Sequence, residues 1–279
     1  MDQLEALRNE LTAIDSEIFQ LFARRLAVVD QVSERKLKMG IPVYVPVREG
    51  VILARARSSM PQGQESYGEA LARTLLRLSR ERQYARAAAQ DSTWALGRTL
   101  QQAEGRRPAW YNLAAVEGEA ADGCGQVFPK ARIMAFANSA TVAAAVSSGE
   151  VDAAVLPYCK ALELAAREGL YIQAGLDGEE RYLVVGKEFG IAPRARQVSI
   201  LVKLAPEPDS LALVVSIFVD LNLPISSLHC MRVSAAQQLY YVEFASEPGH
   251  PQALQALYQL EREAAQLSLL GWYPVFDLE

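Results

Sequence analysis

Histidine and cysteine are scarce in this chain: His229 and His250, with Cys124, Cys159 and Cys230, are the full complement among 279 residues. The cysteines lie far apart, with no CxxC and no Cys/His spacing suited to a metal, so they read as free thiols, mostly buried. Two histidines near the C-terminus cannot build a His-based metal cluster and argue against a catalytic triad. No metal and no cofactor is expected. Long apolar runs are missing as well: nothing approaches the roughly 20 residues of a membrane-spanning helix. The chain opens on a charged helical pattern and not on a signal peptide, so a soluble, cytoplasmic protein is expected. Strong basicity is absent too. The net charge is −5, from +3 over residues 1–90 (14 Lys+Arg, 11 Asp+Glu) and −8 over the remainder. That excludes a nucleic-acid stripe but leaves a mildly basic segment able to attract a small dianion.

What is present begins with a seam. Leu4, Leu7, Leu11, Ile14, Ile18 and Leu21 recur at three- and four-residue steps, and Val28 and Val32 continue the pattern. This is a heptad-type stripe on one long helix. Arg25 stands where the stripe asks for another Leu, and Lys36 returns to the same face three turns later, about 16 Å along the axis. Cations on a core-facing stripe are costly unless paired, snorkelling to water, or facing a polar ligand. Two in phase favour a small anion. Arg8 is about 25 Å from Arg25 along the same helix, too far for one compact metabolite to touch both. A shared ligand would therefore need a second chain, and a heptad seam asks for a partner helix, so a homodimer with composite sites is expected.

Three segments follow. Residues 1–90 are helical: a first helix to the Gly40-Ile41-Pro42 break, a second over about 47–58, and a third over about 67–90. Residues 91–105 read as a polar linker. From about 108 to 190, short β-prone runs alternate with Ala-rich helical stretches, an α/β pattern. Strands are expected at 131–136, 152–156 and 182–186, with helices at 139–148 and 160–168. The last segment reads strand (198–204), helix (211–221), strand (226–233), strand (239–245), helix (251–266) and a terminal extended run. This is the order of a ferredoxin-like α+β sandwich. The expected domains are 1–90, 106–190 and 196–279.

The helical segment resembles the all-helical class of chorismate mutases. The resemblance rests on the ordered set Arg8, Arg25, Lys36, Arg48, Glu49, Ser79 and Gln83, together with the local strings "LRNELTAID", "LFARRLAVV", "PVREGVIL" and "LSRERQ". It implies an intertwined helical dimer that converts chorismate to prephenate in phenylalanine and tyrosine biosynthesis. Arg8 from the partner chain and Arg25 would each hold a substrate carboxylate, with Arg48 assisting near the ring. Lys36 and Gln83 would donate to the ether oxygen, Glu49 would accept from the ring hydroxyl, and Ser79 would contact a carboxylate. Independently of the resemblance, Ser79 and Gln83 are four apart and share a helix face. Arg48 and Glu49 follow Pro46-Val47 in a first helical turn.

The middle segment resembles prephenate dehydratase. "ATVAAAVSSGEVDAAVLPY" looks like a family stretch ending in Pro-Ile-Glu-Asn, but Tyr158-Cys159-Lys160 stands where Ile-Glu-Asn would. Glu180-Arg181-Tyr182 replaces Thr-Arg-Phe. The family's second lobe has no counterpart between these stretches, so a degenerate structural remnant is expected. The final segment resembles an ACT regulatory domain, through "PDSLALVVSIFVDLNLPISSL" and the closing "LLGWYP". That resemblance implies an amino-acid effector near Asp209, Ser210, Leu211, His229, Cys230, Met231 and Arg232. Alternative functions are an isochorismate-pyruvate lyase, a bifunctional mutase/dehydratase and a non-catalytic amino-acid sensor.

Overall fold

The computed structural model describes residues 3–204, 210–234 and 237–278, leaving aside the side chains of 119–122, 231–234 and 237. The chain divides into two compact units, residues 1–91 and 92–279. Helices alone build the first; sheets and helices build the second. No described helix is long and apolar enough to cross a membrane, and no group of three or more described His, Cys, Asp or Glu residues could hold a metal ion.

In the first unit, α1 (Gln3–Met39) is one 37-residue helix, about 55 Å long at 1.5 Å per residue. The apolar stripe of its N-terminal half is largely exposed. Leu4, Leu7, Leu11, Ile14, Ile18 and Leu21 are 47–60% exposed, and Ser33 is the only buried described residue of the helix. Such a continuous apolar stripe left in water is unusual for a finished surface. α2 (Pro46–Ser58) starts on Pro46, whose fixed φ suits the first helical turn. α3 (Glu65–Gln90) buries Ala72, Leu76, Ser79, Arg80, Gln83, Tyr84 and Ala87. Gly68 lets α2 and α3 close together, since a Cβ there would sit 2.3 Å from Met60 Cγ and 2.8 Å from the Ala56 carbonyl. Ion pairs tie α3 to the C-terminal part of α1: Arg82 grips Asp30 with two 2.7 Å bonds, and Arg86 reaches Glu34 at 2.7 Å.

The second unit opens with α4 (Ala95–Ala103), where a polar linker was expected. The polar residues 98, 99, 101 and 102 conceal a short buried face. Trp94, Leu100 and Ala103 are buried, and Trp94 donates to Glu261 at 2.7 Å while meeting the Tyr258 ring edge-on.

A six-stranded mixed sheet follows. Its strands are β1 (Asn112–Val116), β2 (Arg132–Phe136), β3 (Ala153–Pro157), β4 (Tyr171–Asp177), β5 (Arg181–Gly186) and β10 (Val275–Asp277), in the order β10-β4-β5-β3-β1-β2. β1, β2 and β3 are parallel; β1 and β3 are buried on both faces, which explains their apolar runs, while β2 is the partly exposed edge strand. α5 (Glu119–Val127), α6 (Ser139–Ser148) and α7 (Tyr158–Glu168) connect and cover them. Asn138 caps α6 by accepting from the Ala140 and Thr141 amides, and Gly149 ends it in the left-handed conformation.

The other sheet is antiparallel, built from β6 (Gln197–Leu204), β7 (Ile225–Ser234), β8 (Gln237–Ala245) and β9 (Gln266–Tyr273) in the order β7-β8-β6-β9. With α8 (Ser210–Asp220) and α9 (Pro251–Glu263) it has the ferredoxin-like order. α9 stops at Glu263, three residues short of expectation, because residues from Gln266 on are drawn into β9. The two sheets share one core, in which Leu156, Ile172 and Leu183 meet Tyr241, Leu270 and Tyr273. The chain then leaves β9 to lay β10 beside β4.

All three cysteines are free, but only Cys124 is buried; Cys159 and Cys230 are exposed, against the expectation of mostly buried thiols. Cys159 opens α7 and Cys230 sits on edge strand β7, where apolar neighbours do not close over them. Burial pushes the Cys124 thiol up to about 12.

Candidate active site

In the first unit, α1, α2 and α3 converge on a cavity of about 230 Å³. α1 contributes Arg25 and Lys36 with Val28, Val29 and Val32 between them. Val43 and Val45 close one side, α2 supplies Arg48, Glu49 and Ile52, and α3 supplies Leu76, Ser79, Arg80 and Gln83. Six of the seven residues expected to bind substrate thus line one cavity. Arg8 is the exception: it lies exposed 17 residues up α1, away from this cavity within its own chain.

Each polar group is held by its neighbours. Arg25 Nη1 donates to the Ser79 hydroxyl and to the Leu75 carbonyl, the latter at 3.0 Å. Its Nε–Nη2 edge makes no bond to a described residue, and that edge is a fork matched to a carboxylate. Burial lowers the Arg25 pKa, while a guanidinium stays charged at any working pH. Lys36 Nζ donates to the Val43 carbonyl at 2.6 Å, which fixes the ammonium and leaves two further N–H groups. Burial lowers the Lys36 pKa, the nearby Arg48 lowers it further, and Glu49 opposes both.

Gln83 is buried, with Nε2 donating to the Ser79 carbonyl at 3.0 Å and Oε1 lacking a hydrogen-bond partner. An unsatisfied buried amide oxygen costs about 1–3 kcal/mol, so this group calls for a ligand. Nε2 also carries a second N–H that can donate to a ligand.

Arg80 is the residue that sequence reasoning missed. It pairs with Glu49, both side chains being largely buried, and its guanidinium lies 5.1 Å from the centroid of the Tyr44 ring. The signal was available: Arg80 falls on the same α3 stripe as Leu76, Tyr84 and Ala87, an in-phase cation like Arg25. The cavity therefore carries four cations against the single carboxylate of Glu49, a charge that suits a dianion.

The residues expected to bind an effector are in the second unit. Ser210 and Leu211 open α8, while His229 and Cys230 lie exposed on β7. His229 packs at 5.5 Å from the Tyr158 ring. Asp209 lies outside the described residues, as do the side chains of Met231 and Arg232. Arg181 is already engaged: it pairs with the fully buried Glu243 at 2.7 Å and with Asp177 at 3.0 Å, and stacks over Tyr158 at 4.7 Å.

Comparison with known proteins bears on both units. Residues 7–84 match the family model "Chorismate mutase type II". A T-protein from Haemophilus influenzae is 44% identical over 57 residues, covering 20% of this chain. The chain spans about 15% of that relative's length. Three solved structures resemble 58–60% of the chain, each with a TM-score of 0.51. They are GqqA, described as a novel type of quorum quenching acylase (18% identity, 95% of its chain), a Streptococcus mutans prephenate dehydratase (16%, 100%) and an Arthrobacter aurescens prephenate dehydratase in complex with L-Phe (12%, 89%). At such identities the likeness is one of fold alone.

Proposed function

We propose that the first unit is a chorismate mutase, which rearranges chorismate to prephenate in the biosynthesis of phenylalanine and tyrosine. The observation that carries this reading is the convergence of Arg25, Lys36, Arg48, Glu49, Ser79 and Gln83 on one cavity, within the segment that matches the type II mutase model. The rearrangement is a one-step pericyclic shift, with no nucleophile and no obligatory proton transfer. A protein can speed it only by holding the compact conformer and by stabilising negative charge on the ether oxygen as the C–O bond breaks. The free edge of Arg25 takes one carboxylate. Lys36, held by Val43, and Gln83, through the second N–H of its amide, donate to the ether oxygen. Glu49, oriented by Arg80, accepts from the ring hydroxyl, while Arg48 and Ser79 complete the polar wall.

The second carboxylate needs another guanidinium. We assign it to Arg8 of a second copy, brought in when the exposed α1 stripe pairs with its counterpart in a homodimer. The second unit then comprises a dehydratase-like α/β lobe over 106–190 and an ACT-type module over 196–279. In the latter, an amino acid would bind near Ser210, Leu211, His229 and Cys230.

Supplying chorismate and isochorismate separately to the purified chain tests the reading. Prephenate should form from chorismate with saturation. Efficient release of pyruvate from isochorismate, with chorismate left unchanged, would assign a lyase instead.

A further inference from the structure

A second cavity, of about 480 Å³, opens in the α/β unit at the end of the six-stranded sheet where β1 begins. Its volume falls in the roughly 300–1,000 Å³ range of small-molecule sites. Trp110, Phe128 and Phe276 form an aromatic wall: Trp110 meets Phe128 edge-on at 4.7 Å, and Phe128 meets Phe276 at 5.7 Å. The wall is rigid. Trp110 Nε1 donates to Gln173 Oε1 at 2.7 Å, and Gln173 Nε2 donates to the Glu188 carbonyl at 2.7 Å, so both ends of the buried amide are engaged and the indole is held. Gly190 sets the neighbouring segment in place, since a Cβ there would come within 2.7 Å of the Arg106 carbonyl and 3.2 Å of Pro108.

Charge supplies the other half of the recognition. Arg107 and Arg194 line the cavity, and both are exposed. Neither makes a hydrogen bond or ion pair to a described residue, in contrast to Arg181 and Arg80. Among the described residues no acidic side chain lines the cavity, although the chain as a whole carries −5. An apolar aromatic wall beside two uncommitted guanidinium groups favours a flat ring bearing one carboxylate: the ring packs against Trp110, Phe128 and Phe276, and the carboxylate takes a guanidinium fork.

We propose that this cavity binds a small aromatic monocarboxylate. The proposal rests on the second unit alone and stands or falls independently of the mutase reading. Calorimetric titration of the full chain with 3-phenylpropionate should show saturable binding. Replacing both rim cations (Arg107→Gln with Arg194→Gln) should weaken it at least ~10-fold, through loss of charge-assisted hydrogen bonds. Because both residues are exposed, the thermal midpoint should be unchanged, as should binding in an Arg25→Ala chain whose altered cavity lies in the first unit. 3-Phenylpropanol should bind far more weakly for want of charge, and hexanoate for want of a ring. The proposal is overturned by absence of saturable binding, by equal affinity in the double variant, by loss of binding in Arg25→Ala, or by either control ligand binding as tightly as 3-phenylpropionate.

Discussion

At the scale of single residues, the site was legible wherever a charge interrupted an apolar period. Arg25 and Lys36 stood out for that reason, and the structure places both on the cavity wall. What sequence could not show is who holds whom: that Val43 anchors Lys36, or that Arg80 and not solvent orients Glu49. Lys36 is the one full positive charge that the proposed mechanism assigns to the ether oxygen, so Lys36→Ala should lower kcat by at least ~10², as losing an oxyanion donor does. Steady-state kinetics with a helicity check would measure this. The pH dependence follows from the lowered Lys36 pKa. Burial disfavours the ammonium in the folded chain, so this group's penalty is present below its depressed folded pKa and fades as pH rises toward the ordinary 10.5. Activity needs the charged form, so kcat/KM should fall within that same window, below the usual lysine range. In Lys36→Arg any activity that remains should show no such alkaline limb. Arg80→Gln should lose about 1–3 kcal/mol of stability, between the values for surface and fully buried pairs. It should also reduce turnover through a loosened Glu49, as read by denaturant titration beside kinetics.

At the scale of elements, strongly periodic helices were legible and short composite pieces were not. α1 and α2 end where Gly and Pro punctuate the sequence, and α3 ends at its cap Asp91, ahead of a short polar stretch. α4 escaped because its buried face is only Trp94, Leu100 and Ala103, with polar residues between. β10 lies in the expected terminal extended run, but its pairing with β4, about a hundred residues away, escaped because no local pattern encodes it. The contact between the two sheets was equally hidden. Glu243 is completely buried, accepting from Ser199 at 3.1 Å and Tyr273 at 2.8 Å while pairing with Arg181. Glu243→Ala should cost about 3–5 kcal/mol by stranding these partners, visible as a lowered urea midpoint for the second unit. Arg181, the one residue retained from the dehydratase-like motif, is thereby committed to a carboxylate of its own chain. Prephenate supplied at neutral pH should accordingly give no phenylpyruvate above the uncatalysed background.

At the scale of the whole molecule, two units of different construction lie on one chain, and the N-terminal stripe on α1 is exposed. Because β10 and the common core bind the two sheets together, a truncation after Asp91, and not one at residue 196, spares both folding units. The central claim is a mutase site assembled from two copies, and subunit mixing tests it most directly. Arg8→Ala and Arg25→Ala chains should each be inactive alone. Unfolded together and refolded at equal concentrations, they should recover about a quarter of wild-type chorismate turnover, since half the dimers are mixed and each mixed dimer holds one intact site. Mixed dimers confirmed by mass that stay inactive would contradict a shared site.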